Sequence, residues 1–303
     1  MEDRFDRREV LRWAGVAAIG AVAGACVSAG VHVRSTAAMA GAQTRVTTTE
    51  SKSGATARAA TTGATGPDQV AARFVGQVPT QWGTAVDGVG TRLDATGAVI
   101  ALTFDACGGP HGSAVDQDLI VLLEREQLPA TLFLNQRWMM ANPQVTDSLI
   151  ANPLFEIANH GTHHKPLSTV GKSAYGIVGC ASPAEVADEV ESNHDRLTAL
   201  IGHPPRFFRS GTAHYDEVAA EIVSALGETP VSFAINGDAG ATYTVVEIGR
   251  ALAHPPPGAI VLMHMNQPRR ATAEGLAAAL PALRAKGTTF VTLSGAHLPL
   301  VER

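Results

Sequence analysis

From Ala98 to the C-terminus, short apolar runs alternate with longer stretches of helical period, and this alternation restricts the fold more than any other feature of the chain. Val99 to Phe104, Ala130 to Leu134, Phe155 to Ala158, Arg206 to Phe208, Pro230 to Ile235, Ala259 to Met263 and Thr288 to Thr292 have the length and apolar content of strands. Helical segments fall between them, at about 116–127, 142–150, 182–201, 215–226, 244–253 and 272–286. One helix start is explicit: Ser182 is placed to cap, Pro183 to take the first position, Glu185 to reach back, and Gly202 to end the run. Strands joined by helices of 10–20 residues pair in parallel. About seven such units over some 220 residues predict an α/β fold, a deformed parallel (β/α) barrel. An open doubly wound sheet is the other arrangement that the pattern allows.

The chain has 303 residues, of which 45% are hydrophobic and 17% charged, which excludes wholesale disorder. Lys and Arg number 23 against 28 Asp and Glu, so no basic excess points to nucleic acid as a partner. Three cysteines cannot build a disulfide scaffold. Arg7 and Arg8 precede an uncharged stretch from Trp13 to Val33, mostly Ala, Gly and Val. This resembles a twin-arginine export signal, so residues 1–40 are read as a signal segment recognised by the export machinery. Ala38-Met39-Ala40 offers a cleavage site; lipidation at Cys26 and retention as a membrane anchor are the alternatives. Thr, Ala, Gly and Ser then dominate, and residues 41–78 are read as a flexible linker, with 79–303 as the folded domain. Membrane contact is expected only through the N-terminal segment, and the protein is expected outside the cytoplasm.

Functional residues of parallel α/β folds project from the carboxyl ends of strands. Here those ends carry Asp105, the run His160-Gly161-Thr162-His163-His164, Arg209, Asp238 and His264. Thr103-Phe104-Asp105-Ala106, the His160–His164 run, Phe208-Arg209-Ser210-Gly211-Thr212, Asn236-Gly237-Asp238 and Ile260 to His264 together resemble the five motifs of the polysaccharide deacetylases, the NodB homology domain of carbohydrate esterase family 4. The resemblance spans roughly residues 95–295. It implies a deacetylase with a divalent metal, zinc, and an N-acetylated glycan as substrate. It also implies that Asp105 is the base, oriented by Arg209, and that His264 is the acid, held protonated by Asp238. His160 and His164 would ligate the metal, and backbone N–H groups near Gly211-Thr212 would bind the oxyanion.

Ala106 departs from the family pattern, because the resemblance places a metal-binding carboxylate there and Ala has no donor. Four readings stay open. Asp105 binds the metal itself; His111, His163 or His214 supplies a third ligand; Cys107 does so as thiolate, favouring zinc; or the domain is metal-free. Two functions therefore compete: an exported deacetylase of a cell-envelope or extracellular glycan, and a glycan-binding pseudoenzyme. A hydrolase of a small non-sugar amide is the third. His194, His203, His254 and His297 read as surface or loop residues, and Cys107 and Cys180 as free thiols rather than a pair.

Overall fold

Residue parity along one strand decides what faces the helices and what faces the barrel interior. The structure is a computed structural model that describes residues 66–302. The expected signal segment, Cys26 and linker residues 41–65 lie outside the described residues. In chain order the elements are helix α1 (Pro67–Ala72), strands β1 (Arg92–Leu93) and β2 (Val99–Ala106), α2 (Gln117–Arg125), β3 (Ala130–Leu134), α3 (Gln136–Ala141) and α4 (Pro143–Ala151). They continue with β4 (Phe155–Asn159), β5 (Ser173–Ala174), β6 (Ile177–Val178), α5 (Pro183–Ile201), β7 (Phe207–Phe208), α6 (Glu217–Ala225), β8 (Thr229–Pro230) and β9 (Ile235–Asn236). The last are α7 (Val245–Ala251), β10 (Ala259–His264), α8 (Thr272–Ala285), β11 (Thr289–Val291) and β12 (Leu300–Val301).

The parallel neighbours run β10-β2-β3-β4-β7-β8, and β9 pairs back onto β10, so the sheet curls into the expected deformed barrel. β11 pairs with the first half of β2 while β3 pairs with its second half. The antiparallel strands β1 and β12 extend the sheet beyond β10, and a bridge from Gly90 to Val231 fills the seam. The single strand expected from Pro230 to Ile235 is instead two pieces, β8 and β9. Pro230 has no N–H to continue a ladder. Beyond it, Ser232 N–H bonds to Gly90 and Ala234 N–H to Ile260, so the chain crosses from the β7 edge to β10.

Along β2, Ile100, Leu102, Phe104 and Ala106 enter the apolar layer shared with Leu119 and Leu123 of α2 and Leu276, Leu280 and Leu283 of α8. Burying each of the three large side chains contributes about 1.5–3 kcal/mol. Ala101 faces the other way, into the barrel interior with Leu93, Phe133, Ala158 and Ile260. The period of two then places the buried Thr103 and Asp105 on the interior face. On α5, Ser182 accepts from the Glu185 N–H and Gly202 ends the helix in the left-handed region, as the sequence predicts.

The linker boundary at residue 78 is corrected. α1 lies inside that stretch, and its Val70 together with Phe74 is buried in one cluster with Val186 and Val190 of α5. Ordered packing therefore begins by Pro67. No helix among the described residues is long and apolar enough to cross a membrane.

Candidate active site

Register brings the first two groups together: in the parallel pair β2–β10, Asp105 is the partner of His264. β4 ends at Asn159, and the His160–His164 loop follows it. Arg209 leaves the end of β7, and Asp238 lies two residues beyond β9. All six expected site residues thus gather at the carboxyl rim.

Arg209 is fully buried at the centre of this group. One guanidinium nitrogen, Nη1, donates to Asp105 Oδ1 and to Thr103 Oγ1, each at 2.8 Å. The other, Nη2, donates to the Ser232 carbonyl at 2.8 Å. That acceptor is available because the strand breaks between β8 and β9. The guanidinium also lies 4.1 Å from the ring centre of Phe133. Burial pushes the Asp105 carboxyl up, but the positive charges of Arg209, His160 and His264 outweigh it and hold it below the usual carboxylate range.

His160 is fully buried, and its Nδ1 lies 2.8 Å from the Arg209 carbonyl. A carbonyl only accepts, so Nδ1 carries a proton, and Nε2 is the ring nitrogen that faces the site. Nε2 stands 3.7 Å from Asp105 Oδ2 and 3.8 Å from Cys107 Sγ. The His164 ring meets that of His160 edge-on, with centroids 4.9 Å apart. Donor atoms of Cys107, His160 and His164 all lie within 4.8 Å of one another.

This donor set fits a metal. A thiolate with two imidazoles suits zinc, and the Nδ1 bond to a backbone carbonyl is the outer-shell partner that orients a ligating histidine. Of the alternative donors, His111 is exposed, His163 gives its backbone N–H to Glu189, and His214 packs near the rings of Trp82 and Tyr175. None of these three belongs to the cluster. Parity explains why Cys107 does: it is two residues past Asp105, whereas Ala106 turns into the apolar layer with Leu134, Trp138 and Met139.

His264 is clamped to Asp238. Its Nδ1 lies 2.9 Å from Asp238 Oδ1, and its backbone N–H donates to Oδ2 at 2.7 Å. Thr272 at the start of α8 donates to the same Oδ2. Burial pushes the imidazole pKa down, but the buried Asp238 carboxylate outweighs it and holds the value well above the ordinary histidine range.

Residues behind the rim were not evident from motifs. Asn135 donates to the His160 and Gly161 carbonyls, and Glu189 of α5 accepts the N–H groups of His163 and Lys165. The signal for Glu189 was an acid on the apolar face of a helix, between Val186 and Asn193. Gly211 is required where it stands, since a Cβ there would lie 2.2 Å from the His164 carbonyl oxygen. His194 is corrected from a surface residue: its side chain is mostly buried and bonds to Glu228 at 2.8 Å. Burial pushes the Glu228 carboxyl up to about 7. Cys107 and Cys180 are both free thiols.

Comparison with known proteins agrees with the fold. Residues 92–231 match the family model described as polysaccharide deacetylase. An uncharacterized protein of Bacillus subtilis, YlxY, is 23% identical over 184 residues, covering 60% of this chain and 53% of that protein. The chain therefore spans about half the length of that curated relative. BA3943 of Bacillus anthracis, a carbohydrate esterase family 4 pseudoenzyme, superposes with a TM-score of 0.56 at 19% identity, covering 67% of this chain and 66% of that one. The Bc1960 peptidoglycan N-acetylglucosamine deacetylase gives 0.56 at 21% identity, covering 67% and 89%.

Proposed function

The chain belongs, through residues 92–231, to the polysaccharide deacetylase family, and from that premise we propose that it removes N-acetyl groups from a cell-envelope or extracellular glycan. The observation that carries this reading is a three-donor cluster, Cys107, His160 and His164, set beside two acid–base pairs, Asp105–Arg209 and Asp238–His264. The cluster would hold a divalent ion, zinc, which when bound supplies Lewis acidity at the scissile carbonyl.

The chain's own residues divide the proton work. Asp105, kept ionised by Arg209, takes the proton of the attacking water. Backbone N–H groups of the Gly211–Thr212 turn donate to the carbonyl oxygen as negative charge develops on it. His264, kept protonated by Asp238, gives a proton to the departing amine. The Asp105 pKa is lowered and that of His264 raised, so the first stays ionised while the second stays protonated, a base and an acid in one site.

Elemental analysis of the purified protein with acetate release from N-acetylglucosamine oligomers tests the reading. Stoichiometric zinc and released acetate support it. Glycan binding without turnover would assign the chain the pseudoenzyme role that BA3943 is described as having.

Export is part of the same proposal, resting on Arg7 and Arg8 before the uncharged segment. Replacing both with Lys should hold the protein in the cytoplasm. Undiminished appearance outside the membrane would remove the twin-arginine reading.

A further inference from the structure

Asn159, the last residue of β4, carries a side chain that governs how the His160–His164 loop leaves the strand. It is fully buried, and both ends of its amide are engaged. Oδ1 accepts from the Gly161 N–H at 2.9 Å and from Asn193 Nδ2 at 2.8 Å. Nδ2 donates to the Val190 carbonyl at 3.1 Å and to Glu228 Oε1 at 2.7 Å. The bond to Gly161 closes a turn around His160, since an Asn side chain readily bonds to its own backbone two residues on. Gly161 has a φ of 74° there.

The amide serves this turn in one orientation only. Turned over, it would set its NH₂ against the Gly161 N–H and against Asn193 Nδ2, which is itself committed as a donor to the Leu134 carbonyl. Two acceptors select the working orientation, the Val190 carbonyl and the Glu228 carboxyl, and Glu228 makes the shorter bond. Glu228 Oε2 has no partner. A proton taken up there leaves Oε1 an acceptor for Asn159.

Glu228 stands between α6 and β8 and is 2% exposed. Burying a carboxyl is costly, and an apolar side chain would fill the place without that cost. What offsets it is two side-chain bonds at Oε1, from Asn159 Nδ2 and from His194 Nδ1 of α5. The far end of the same loop is held by Glu189, through the N–H groups of His163 and Lys165. Two buried carboxyls from different elements thus grip the loop at both ends.

We propose that Glu228 is a positioning residue for His160: by fixing the Asn159 amide it sets the turn that presents His160 beside His164 and Cys107. The proposal rests on the deacetylase reading only for what the loop carries, a metal ligand. The chain of contacts runs from Glu228 through Asn159 to the Gly161 N–H, with the Arg209 N–H bonded to the Asn159 carbonyl and the Arg209 carbonyl to His160 Nδ1. Glu228 therefore acts on the site from behind β4, without reaching the rim itself.

The test compares the full chain as wild type, Glu228→Gln and Glu228→Met. Gln keeps an acceptor for Asn159, whereas Met fills a similar volume without one. Both lose stability: Gln sets an unpartnered donor where Oε2 stood, and Met leaves the Asn159 and His194 donors unpaired. Stability does not separate them, but the loop does. In zinc-free protein, deuterium exchange of the Gly161 amide, measured relative to the Leu102 amide of β2, should be about tenfold faster in Glu228→Met than in Glu228→Gln, the effect of losing one buried hydrogen bond. Zinc affinity, by competition with a chromophoric chelator, should be about tenfold weaker in Glu228→Met and kept in Glu228→Gln, the lower end of the effect of an outer-shell partner. Glu228→Asp, one carbon shorter, draws the acceptor back from Asn159 and should behave as Met does; it decides the matter if Glu228→Met does not fold. Equal Gly161 exchange in the Gln variant and in those without the acceptor overturns the proposal, as does faster exchange with unchanged zinc affinity. If wild type takes up no zinc while exchange still separates the variants, the positioning of His160 stands and the zinc-dependent deacetylase reading falls.

Discussion

The Sγ of Cys107 lies 3.8 Å from Nε2 of His160, the imidazole nitrogen left facing the site when Nδ1 is committed to the Arg209 carbonyl. If these atoms share a zinc ion, Cys107→Ala should weaken zinc binding by more than about 100-fold, the upper end of what loss of an outer-shell partner costs. Cobalt-loaded wild type should show a near-ultraviolet thiolate-to-metal band that Cys107→Asp lacks. A band that survives in Cys107→Asp removes the cysteine from the ligand set.

Ala106→Asp should not restore anything. The side chain at 106 points into the apolar layer with Leu134 and Trp138, so the new carboxylate is buried without a partner. Destabilisation of about 3–5 kcal/mol is expected in urea titrations, the cost of an uncompensated buried charge. Zinc content should not rise. Tighter metal binding in this variant would show that position 106 reaches the site after all.

Asp105→Asn and His264→Ala should each lower turnover by about 100-fold or more, the usual worth of a positioned base or acid. Circular dichroism should stay unchanged for His264→Ala. For Asp105→Asn a lowered Tm is expected as well, because Arg209 loses its buried counter-charge. Activity within threefold of wild type in either variant contradicts the assigned role.

The pH profile should carry the signature of Asp238. A histidine whose pKa is raised on folding adds stability fully present below about pH 6.5 and lost as pH rises through the folded value. His264 is raised in this way, so the alkaline limb of kcat/KM should sit well above that of an ordinary histidine. Asp238→Asn should move the limb to lower pH and remove stability mainly on its acid side. Asp105 runs the other way: its pKa is lowered, so its contribution is present above the usual carboxylate value and lost as pH falls. A limb that stays in place in Asp238→Asn would detach it from His264.

Much of the barrel was legible because apolar strands and capped helices carry local signals, as at Ser182–Pro183–Glu185. The six rim residues were legible because strand ends are where parallel folds expose function. Three things were not. The break between β8 and β9 depends, beyond the missing N–H of Pro230, on the pairing of Ser232 with Gly90 and of Ala234 with Ile260, partners distant in sequence. Glu189 looks like any helix acid until the loop carrying His163 and Lys165 is folded against it. Cys107 was one candidate ligand among several, because only the structure shows that it shares the face of Asp105 while Ala106 does not.

The position of Arg209 governs how the barrel comes apart. Its guanidinium is tied to β2 through Thr103 and Asp105, to β3 through Phe133, and to the β8–β9 crossing through Ser232. A plug fastened to several staves from inside gives the cylinder no way to loosen on one side while the charged centre keeps its shape. Heat should therefore extinguish activity and unfold the barrel in a single event, with no inactive but folded stage between them. Any loosening that the molecule tolerates has to be sought in the outer turns, where slack costs the cylinder nothing.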